Sequence, residues 1–495
     1  MMTVSISAVP VSPASPPLTA GGLPRLMSFV GGGTLDHGGP SLDLVRPQDG
    51  AVHAVLVEAG AAGVAPAVAA AQAAFRAHRK STLHQRAHWL KAAQAALEQE
   101  AEAIAQLISA DVGKPIRMAR FEARRAADFI GACAAAVLDL GGTVVPVDAA
   151  AAGAGHFGFT RKVPYGVVAA ITPFNAPANL LVQKVAPAIA AGNAVVVKPA
   201  PAGTRTALAL AQLFLAAGWP EGLFNVVTGD RDTALALAGA EGVAAVSFTG
   251  GTSAGEAVAR AAGIRKFASE LGSNAANIVM ADADLDDAAG KIAAAAFEAS
   301  GQQCISAQRV LVEASVFEAF AAKFVAAAAA LKVGAVEDMA TDVGPMVHRA
   351  AADRVMAMCT EAIAAGARYR LAPTQDGCLV SPAILAGVTA SMRLWQEEVF
   401  GPVAVLVPFT GVEEALALAN DSPFGLQGAV FTAGLATAMR FSEDFEVGAL
   451  WVNEASRFRL DMYPFGGMKR SGTGREGVRA AIEELSQVKF TGLRL

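Results

Sequence analysis

Short, continuous apolar runs alternate with alanine-rich polar-faced segments along most of the chain. Four such runs are Gly166-Val-Val-Ala-Ala-Ile-Thr-Pro-Phe-Asn175, Ala194-Val-Val-Val-Lys198, Phe224-Asn-Val-Val-Thr-Gly229 and Ala244-Ala-Val-Ser-Phe-Thr249. Each closes on a turn or polar residue, as strands buried on both faces do. A helix is expected from about Thr204 to Ala217. Upstream, charges recur at helical spacing and predict helices over Val68–His78 and His84–Ile108, separated near Arg79-Lys-Ser-Thr. Gly113-Lys-Pro115 interrupts, and a third helix runs from about Ile116 to Ala136. Thr143-Val-Val-Pro-Val and Phe157–Lys162 read as a β excursion. The pattern restarts with a strand at Ala276–Met280, a helix at Asp286–Ser300, a strand at Arg309–Glu313 and a helix at Val316–Leu331. It continues to Gly448-Ala-Leu-Trp-Val-Asn453. Such alternation implies α/β architecture with mostly parallel sheets, whose ligands gather at the carboxyl ends of the strands.

At 495 residues the chain has material for two or three domains with a substantial core. Its 54% hydrophobic and 17% charged composition excludes a disordered chain. A net charge of -5 argues against nucleic acid or an anionic membrane as main partner. Cys133, Cys304, Cys359 and Cys378 lie far apart with no C-x-x-C pair, so neither a metal site nor a disulfide framework is expected. That usage fits a reducing, cytoplasmic location. No apolar run approaches the ~20 residues needed to span a bilayer. Met1–Leu23 is rich in Pro, Ser and Ala without a basic leader region, and reads as a mobile arm.

The stretch that organises the chemistry is Phe297-Glu-Ala-Ser-Gly-Gln-Gln-Cys304-Ile-Ser-Ala-Gln-Arg309. It sets one thiol on a loop before a strand, where it could attack a carbonyl carbon. Most free cysteines are buried and inert, so the loop alone does not decide the matter. Phe248-Thr-Gly-Gly-Thr-Ser-Ala-Gly255 closes a strand and opens a helix, which suits a pyrophosphate against backbone N–H groups. In Phe267-Ala-Ser-Glu270-Leu-Gly-Ser-Asn274 a carboxylate precedes a turn and could serve as general base toward water. A late Gly472-Thr-Gly-Arg-Glu-Gly477 matches G-x-G-x-x-G, but too little chain follows for a βαβ unit, and it reads as a glycine-rich turn. Arg124 and Arg125 read first as solvated charges on a helix face.

Taken in order, these segments resemble the aldehyde dehydrogenase superfamily. The matching motifs are Thr-Pro-Phe-Asn175, Val-Val-Lys198-Pro, Phe-Thr-Gly250-Gly-Thr-Ser-Ala-Gly255, Glu270-Leu-Gly and Gly-Gln-Gln-Cys304, then Glu397-Glu398-Val-Phe400-Gly-Pro and Pro464-Phe-Gly-Gly-Met-Lys-Arg-Ser-Gly. They span about Phe29 to Leu495. The resemblance implies two Rossmann-like parallel-sheet domains plus a β oligomerisation arm. It divides the chain into a cofactor-binding domain (26–139 and 160–272), a catalytic domain (273–470) and the arm (140–159 and 471–495), after an N-terminal arm at 1–25. It implies Cys304 as nucleophile, Asn175 as oxyanion donor with the Cys304 N–H, and Glu270 as base for hydrolysis of a thioester. NAD or NADP would lie against Ile171, Thr172, Pro173, Phe174, Lys198, Thr249, Gly250, Gly251, Glu398 and Phe400. The partner implied is a small-molecule aldehyde, and the assembly a homodimer or homotetramer.

Departures from the family pattern bear on specificity. NAD-preferring members often carry Glu three residues after the ribose lysine, where this chain has Pro201. A carboxylate there repels a 2′-phosphate, so its absence leaves either cofactor acceptable. Phe-Arg-Leu-Asp-Met-Tyr-Pro-Phe-Gly-Gly467 is similar to the lactaldehyde, phosphonoacetaldehyde and non-phosphorylating glyceraldehyde-3-phosphate dehydrogenase branch. Members of that branch acting on phosphate or phosphonate tend to place Arg before the nucleophile, where this chain has Gln303, which weighs against a phosphorylated substrate. Arg459 offers a cation to the substrate funnel, or an internal ion pair with Asp461. With Arg125, Gln303 and the small Ala176 it suggests a small polar or acidic aldehyde. A cofactor-binding member with a structural role, or one that passes the acyl group to coenzyme A, are the alternatives.

Overall fold

The computed structural model describes residues 18–495, so most of the expected N-terminal arm lies outside the described residues. An eight-stranded sheet runs in the order Gly472–Thr473, Lys266–Glu270, Val243–Thr249, Val167–Thr172, Ala194–Pro199, Phe224–Val226, Ser28–Val30, Gly33–Leu35. Its five middle strands from Lys266–Glu270 to Phe224–Val226 are parallel. Val167–Thr172 and Ala194–Pro199 are buried at every position, which is why they read as continuous rather than alternating apolar runs. Register pairs Ile171 with Lys198, Phe248 with Ile171 and Thr249 with Glu270. The expected cofactor and base residues therefore share one carboxyl edge.

A seven-stranded sheet follows in the order Arg368–Leu371, Ala383–Ala386, Val403–Phe409, Arg309–Glu313, Ala276–Val279, Gln427–Phe431, Ala449–Val452, parallel except at the first strand. Glu270 ends a strand of the first sheet and Ala276 begins one of the second. The carboxyl edge of the first sheet thus meets the amino edge of the second, and the Cys304 loop enters that second edge just before Arg309. A third sheet pairs Ser486–Arg494 antiparallel with His156–Pro164, beside Val144–Val145. Of the stretch 471–485, Gly472–Thr473 joins the eight-stranded sheet and Val478–Glu484 is a helix packed on Asn179–Ala191. Among the described residues no helix is long and apolar enough to cross a membrane.

Two helices differ from expectation for local reasons. The segment expected as one helix over His84–Ile108 is two, Leu83–Gln99 and Ala101–Val112, with a break at Glu100 (φ -97°, ψ 10°). The break lets Leu90, Ala93 and Leu97 bury one stripe and Ile104, Ala105 and Ile108 another. The helix expected to reach Ser300 stops at Phe297. Ala299, Ser300 and Gly301 then take left-handed φ of 52°, 58° and 63°. Side chains at such φ cost roughly 1–2 kcal/mol each. A Cβ on Gly301 would also lie 2.2 Å from the Gly401 carbonyl oxygen. The turn is held from outside: the Ser300 hydroxyl donates to the Gly344 carbonyl at 2.7 Å.

Beyond the nucleophile the loop is anchored by two buried polar side chains. Gln308 donates to the Leu394 and Glu397 carbonyls (3.0 and 2.8 Å) and accepts from the Val399 N–H at 3.0 Å. Arg309 donates to the carbonyls of Asn274, Leu418 and Ala419, each at 2.9 Å, and lies 5.0 Å from the Trp395 ring centroid. Charged hydrogen bonds of this kind are worth about 1.5–3 kcal/mol each, and orphaned buried carbonyls cost more. Arg309→Met should therefore lower the thermal unfolding midpoint by several degrees, and Arg309→Lys, with one nitrogen in place of three, should restore less than half of the loss. Unchanged melting curves for both variants would show that the anchor is dispensable.

Candidate active site

The two sheet edges enclose the cleft in which the expected residues meet. Cys304 is half-buried and packs on the cluster of Ile305, Leu426 and Phe465. The Asn175 side-chain amide donates to the Gln302 carbonyl at 2.9 Å, tying the turn after Val167–Thr172 to the nucleophile loop. Glu270 is 4% exposed, and neither carboxylate oxygen has a hydrogen-bond partner. A buried carboxyl left without a partner is costly to ionise.

Around Glu270 lies a buried charge cluster. Glu476 accepts from Lys184 at 3.0 Å and from Arg459 at 2.8 Å. Arg459 also donates to Gln183 at 2.9 Å and lies 3.7 Å from the Phe465 ring centroid. The expected alternative of an Arg459–Asp461 pair is thus corrected: Asp461 is held by Arg125 through bonds of 3.0 and 2.6 Å, and accepts from Gln183 at 3.1 Å. Glu476 wins Arg459 because the turn after Gly472 carries it into the core, whereas Asp461 faces the helix bearing Arg125. Gln303 accepts from Arg457 at 2.8 Å, and Arg457 also pairs with Glu298 at 2.5 Å. Ala176, beside Asn175, is half-buried.

Sequence reasoning missed Gln183, Lys184 and Glu476. A signal was present for the first two, since Asn179-Leu-Leu-Val-Gln-Lys-Val-Ala-Pro sets an uninterrupted polar pair in an apolar helix that is buried throughout. Glu476 has no such signal, since it lies inside the glycine-rich Gly472–Gly477 turn.

The family model described as "Aldehyde dehydrogenase family" matches residues 35–491. The chain belongs to the aldehyde dehydrogenase family. It is 38% identical to an aspartate-semialdehyde dehydrogenase of Pseudomonas canavaninivorans, over 92% of this chain and 97% of that protein. It is 41% identical to a 3-sulfolactaldehyde dehydrogenase of Priestia aryabhattai, over 82% of this chain and 85% of that one. The NADP-dependent glyceraldehyde-3-phosphate dehydrogenase of Bacillus halodurans, solved with NADP, superposes with a TM-score of 0.93 at 32% identity, covering 95% of this chain and 99% of that one. This aldehyde dehydrogenase uses NAD or NADP to oxidise an aldehyde to its carboxylic acid.

The residues present fit such a cofactor. Gly251 caps the helix Thr252–Ala262 with no side-chain cap, and a Cβ there would meet nothing. The helix N-terminus therefore offers free N–H groups to a pyrophosphate. Thr249 and Gly250 lead into it, with the Gly250 N–H on the Glu270 carbonyl at 3.1 Å. Burial lowers the Lys198 amine to about 8, opposed by the charges of Asp230 and Glu58. Those carboxylates face the lysine expected at the adenosine ribose, although the position three residues on is Pro201. Burial raises the Glu398 carboxyl to about 7, opposed by the Ser273 N–H that it accepts at 2.9 Å. Phe400, at φ 50°, meets Phe174 edge to face at 5.9 Å between centroids, just past Ile171, Thr172 and Pro173.

Burial, and then the charge of Glu476, push the Glu270 carboxyl well above the usual range, with Arg459 and Lys184 opposing. Glu476 moves the other way, since Lys184 and Arg459 overcome its burial. The Cys304 thiol is pushed up by burial and by Glu270, and pulled back by Arg459. Alkylation of Cys304 by iodoacetamide should therefore keep rising with pH into the alkaline range. Glu270→Gln, by removing the charge that Glu270 acquires only once the pH exceeds its raised pKa, should displace the alkaline part of that profile toward lower pH, and Cys304→Ala should abolish the labelling of this site. A profile indifferent to Glu270 would separate the two groups electrostatically.

Proposed function

We propose that this aldehyde dehydrogenase works through covalent catalysis at Cys304, with Asn175 and Glu270 as its partners. The observation that carries the reading is the buried, unpartnered Glu270 carboxylate in the same cleft as the half-buried thiol. Cys304 Sγ gives up its proton to solvent as it adds to the aldehyde carbon, and the carbonyl π pair moves to oxygen as a thiohemiacetal alkoxide. The Asn175 side-chain amide and the Cys304 backbone N–H receive that charge; a preset donor of this type is worth about 3–4 kcal/mol. A nicotinamide held beside Glu398 and Phe400 would supply the acceptor for the hydride of that adduct, whose oxidation leaves a thioester on Cys304. Glu270 then takes a proton from water, whose oxygen adds to the thioester carbon, and the thiolate leaves as the acid is released.

The substrate reading is a small polar or acidic aldehyde. Gln303 and Ala176 beside the reacting centre carry no charge of their own, and Arg125 and Arg457 stand nearer solvent than Arg459, whose side chain is 7% exposed. The acid groups in the names of the aspartate-semialdehyde and 3-sulfolactaldehyde relatives support an anionic substituent here too. It would meet Arg125 in exchange with Asp461, while Arg459 acts from behind through Glu476. We also read the division into cofactor domain, catalytic domain and arm as functional, with the enzyme cytoplasmic. Val144, Val488, Phe490 and Leu493 are exposed on the arm sheet at 69%, 63%, 52% and 45%, which favours a homodimer or homotetramer that covers them.

Cys304→Ala should lose aldehyde oxidation while still binding cofactor; full activity would sink covalent catalysis. Glu270→Gln should give a burst of reduced cofactor followed by a slow steady state. Because Glu270 must be ionised to take the proton and its carboxyl is held high, wild-type steady-state turnover should climb with pH through its titration, and the variant should lose that limb. For the substrate, Arg125→Met should lower kcat/KM about 10- to 100-fold for an acidic aldehyde, the worth of one charged contact, and leave a neutral one within about threefold. Equal losses on both aldehydes would make Arg125 purely structural.

A further inference from the structure

The turn Gly113-Lys114-Pro115, which in the sequence only separates two helices, reaches the reaction centre from behind. The helix Ala101–Val112 ends on Gly113 at φ 73°, and that left-handed turn directs Lys114 back under the Asn175 loop. The Lys114 side chain is 10% exposed and pairs with Glu122, itself 5% exposed. Its Nζ also donates to the Asn175 backbone carbonyl at 2.5 Å. Glu122, on the helix Ile116–Ala136, accepts from the N–H groups of Ala178 and Asn179 at 2.9 and 3.2 Å. It thereby caps the helix Asn179–Ala191, which has no cap from its own Ala178 side chain. One ion pair thus holds the Asn175–Asn179 turn at both ends, by its first carbonyl and its last N–H groups.

The same short turn leans on the support of the nucleophile loop. A Cβ on Gly113 would fall 2.8 Å from the Pro345 carbonyl oxygen, and one on Gly344 would fall 2.5 Å from the Gly113 oxygen. Gly344 is the residue whose carbonyl holds Ser300 in its left-handed turn. Val347, two residues past Pro345, donates its N–H to the Gln302 side chain at 3.0 Å, and Gln302 in turn receives the Asn175 amide on its carbonyl. Gly113, Lys114, Phe174, Asn175, Ala299 and Gln302 line one small cavity between the two loops. The two oxyanion donors come from different sheets, one on the Asn175 turn and one at Cys304. Their separation is set where these supports meet.

We propose that Lys114, through its pair with Glu122, is a positioning residue that fixes the Asn175 donor against the Cys304 loop. The inference rests on the reading of Asn175 as an oxyanion donor. An ammonium has three donors and no competing acceptor, so it serves a carbonyl and a carboxylate together, which a neutral side chain of similar length cannot do. Without it the Asn175 carbonyl loses its donor, Glu122 is left a buried charge, and the turn is free to shift. Displacements of about an ångström at a reacting centre cost on the order of a hundredfold in rate. The effect belongs to the step in which charge develops on the substrate oxygen, not to binding.

The test is a double-mutant cycle between Lys114→Met and Asn175→Ala in the full-length enzyme, read as the single-turnover rate of reduced-cofactor formation. Lys114→Met alone should slow that rate about 10- to 100-fold. KM for aldehyde, affinity for NAD and NADP, and the rate of Cys304 alkylation should stay within about threefold, because none of them needs the oxyanion donor. Lys114→Arg should recover part of the rate. In the Asn175→Ala background Lys114→Met should add little, since its route to the reaction is gone. If Lys114→Met proves insoluble, the pair Lys114→Met with Glu122→Gln removes both charges together and serves in the same cycle. A Lys114 variant with normal single-turnover rate, or one whose penalty persists in full beside Asn175→Ala, overturns the proposal while leaving the oxyanion reading intact. If Asn175→Ala itself turns over normally, the oxyanion reading fails and the positioning role falls with it.

Discussion

The active site depends on a charge arrangement that no one of its members could sustain alone. Lys184 is 1% exposed and Glu476 9%, so each would be expensive to ionise without the other. Arg459 joins them from a separate loop, and the three together leave one positive charge over the single carboxylate Glu476. Glu270, pushed toward its neutral form, does not cancel that surplus. The excess positive charge is what the cleft can offer to a thiolate or an alkoxide. Replacing one partner of such a cluster typically costs about 3–5 kcal/mol, because the charge left behind is buried. The helix Asn179–Ala191, the loop around Arg459 and the turn after Gly472 are therefore fixed relative to one another by electrostatics as much as by apolar packing.

That dependence explains why some of the site was legible in the sequence and some was not. Cys304, Asn175, Glu270, Lys198 and Glu398 stand beside glycines, prolines or strand ends, so local motifs single them out as candidates. The parallel sheets were legible for the same reason: strands buried on both faces have no polar positions to confuse with a helix. Glu476 was not, because it lies in a glycine-rich turn, and Lys184, although its helix marks it as a buried polar residue, has its partner 292 positions away in the chain. Arg459 is legible as a cation of the substrate funnel or a partner of Asp461, and the structure gives it Glu476 instead. Proximity in sequence failed there because Arg459 is drawn to Glu476 in the turn after Gly472, whereas Asp461 is drawn to Arg125 on the helix Ile116–Ala136. Helix ends were misjudged where a tertiary contact overrides propensity, as at Phe297, beyond which the Ser300–Gly344 bond holds a left-handed turn.

The left-handed run at Ala299–Gly301 has a mechanical role in this arrangement. An ordinary helix C-terminus would carry the chain on along its axis. Three successive residues at φ between 52° and 63° instead fold it back, so that Gln302 faces Asn175 and Cys304 faces the cluster of Ile305, Leu426 and Phe465. Only Gly301 adopts this conformation cheaply. The strain at Ala299 and Ser300 is sustained because Gly344 on one side, and Gln308 and Arg309 on the other, leave the loop no alternative path. Strain of this kind persists only where surrounding structure over-determines the backbone. Here it places the Cys304 thiol.

The arginines of the cleft show how such a site can favour an acidic substrate without exposing bare cations. Arg125, Arg457 and Arg459 are paired with Asp461, Glu298 and Glu476 respectively. An unpaired guanidinium in the cleft would be well hydrated, and a substrate acid would have to strip that water. A guanidinium already facing a carboxylate has lost it, and its planar geometry is set for an oxyanion. Exchange of Asp461 for a substrate acid then swaps one charged hydrogen-bonded pair for another, with little desolvation left to be met. The pairs differ in burial: Arg459 with Glu476 is almost fully enclosed, whereas Arg125 with Asp461 has side chains 22% and 16% exposed. Exchange is easiest where water can receive the displaced carboxylate, so on the proposed reading an acidic substrate would select at Arg125 rather than at the enclosed Arg459.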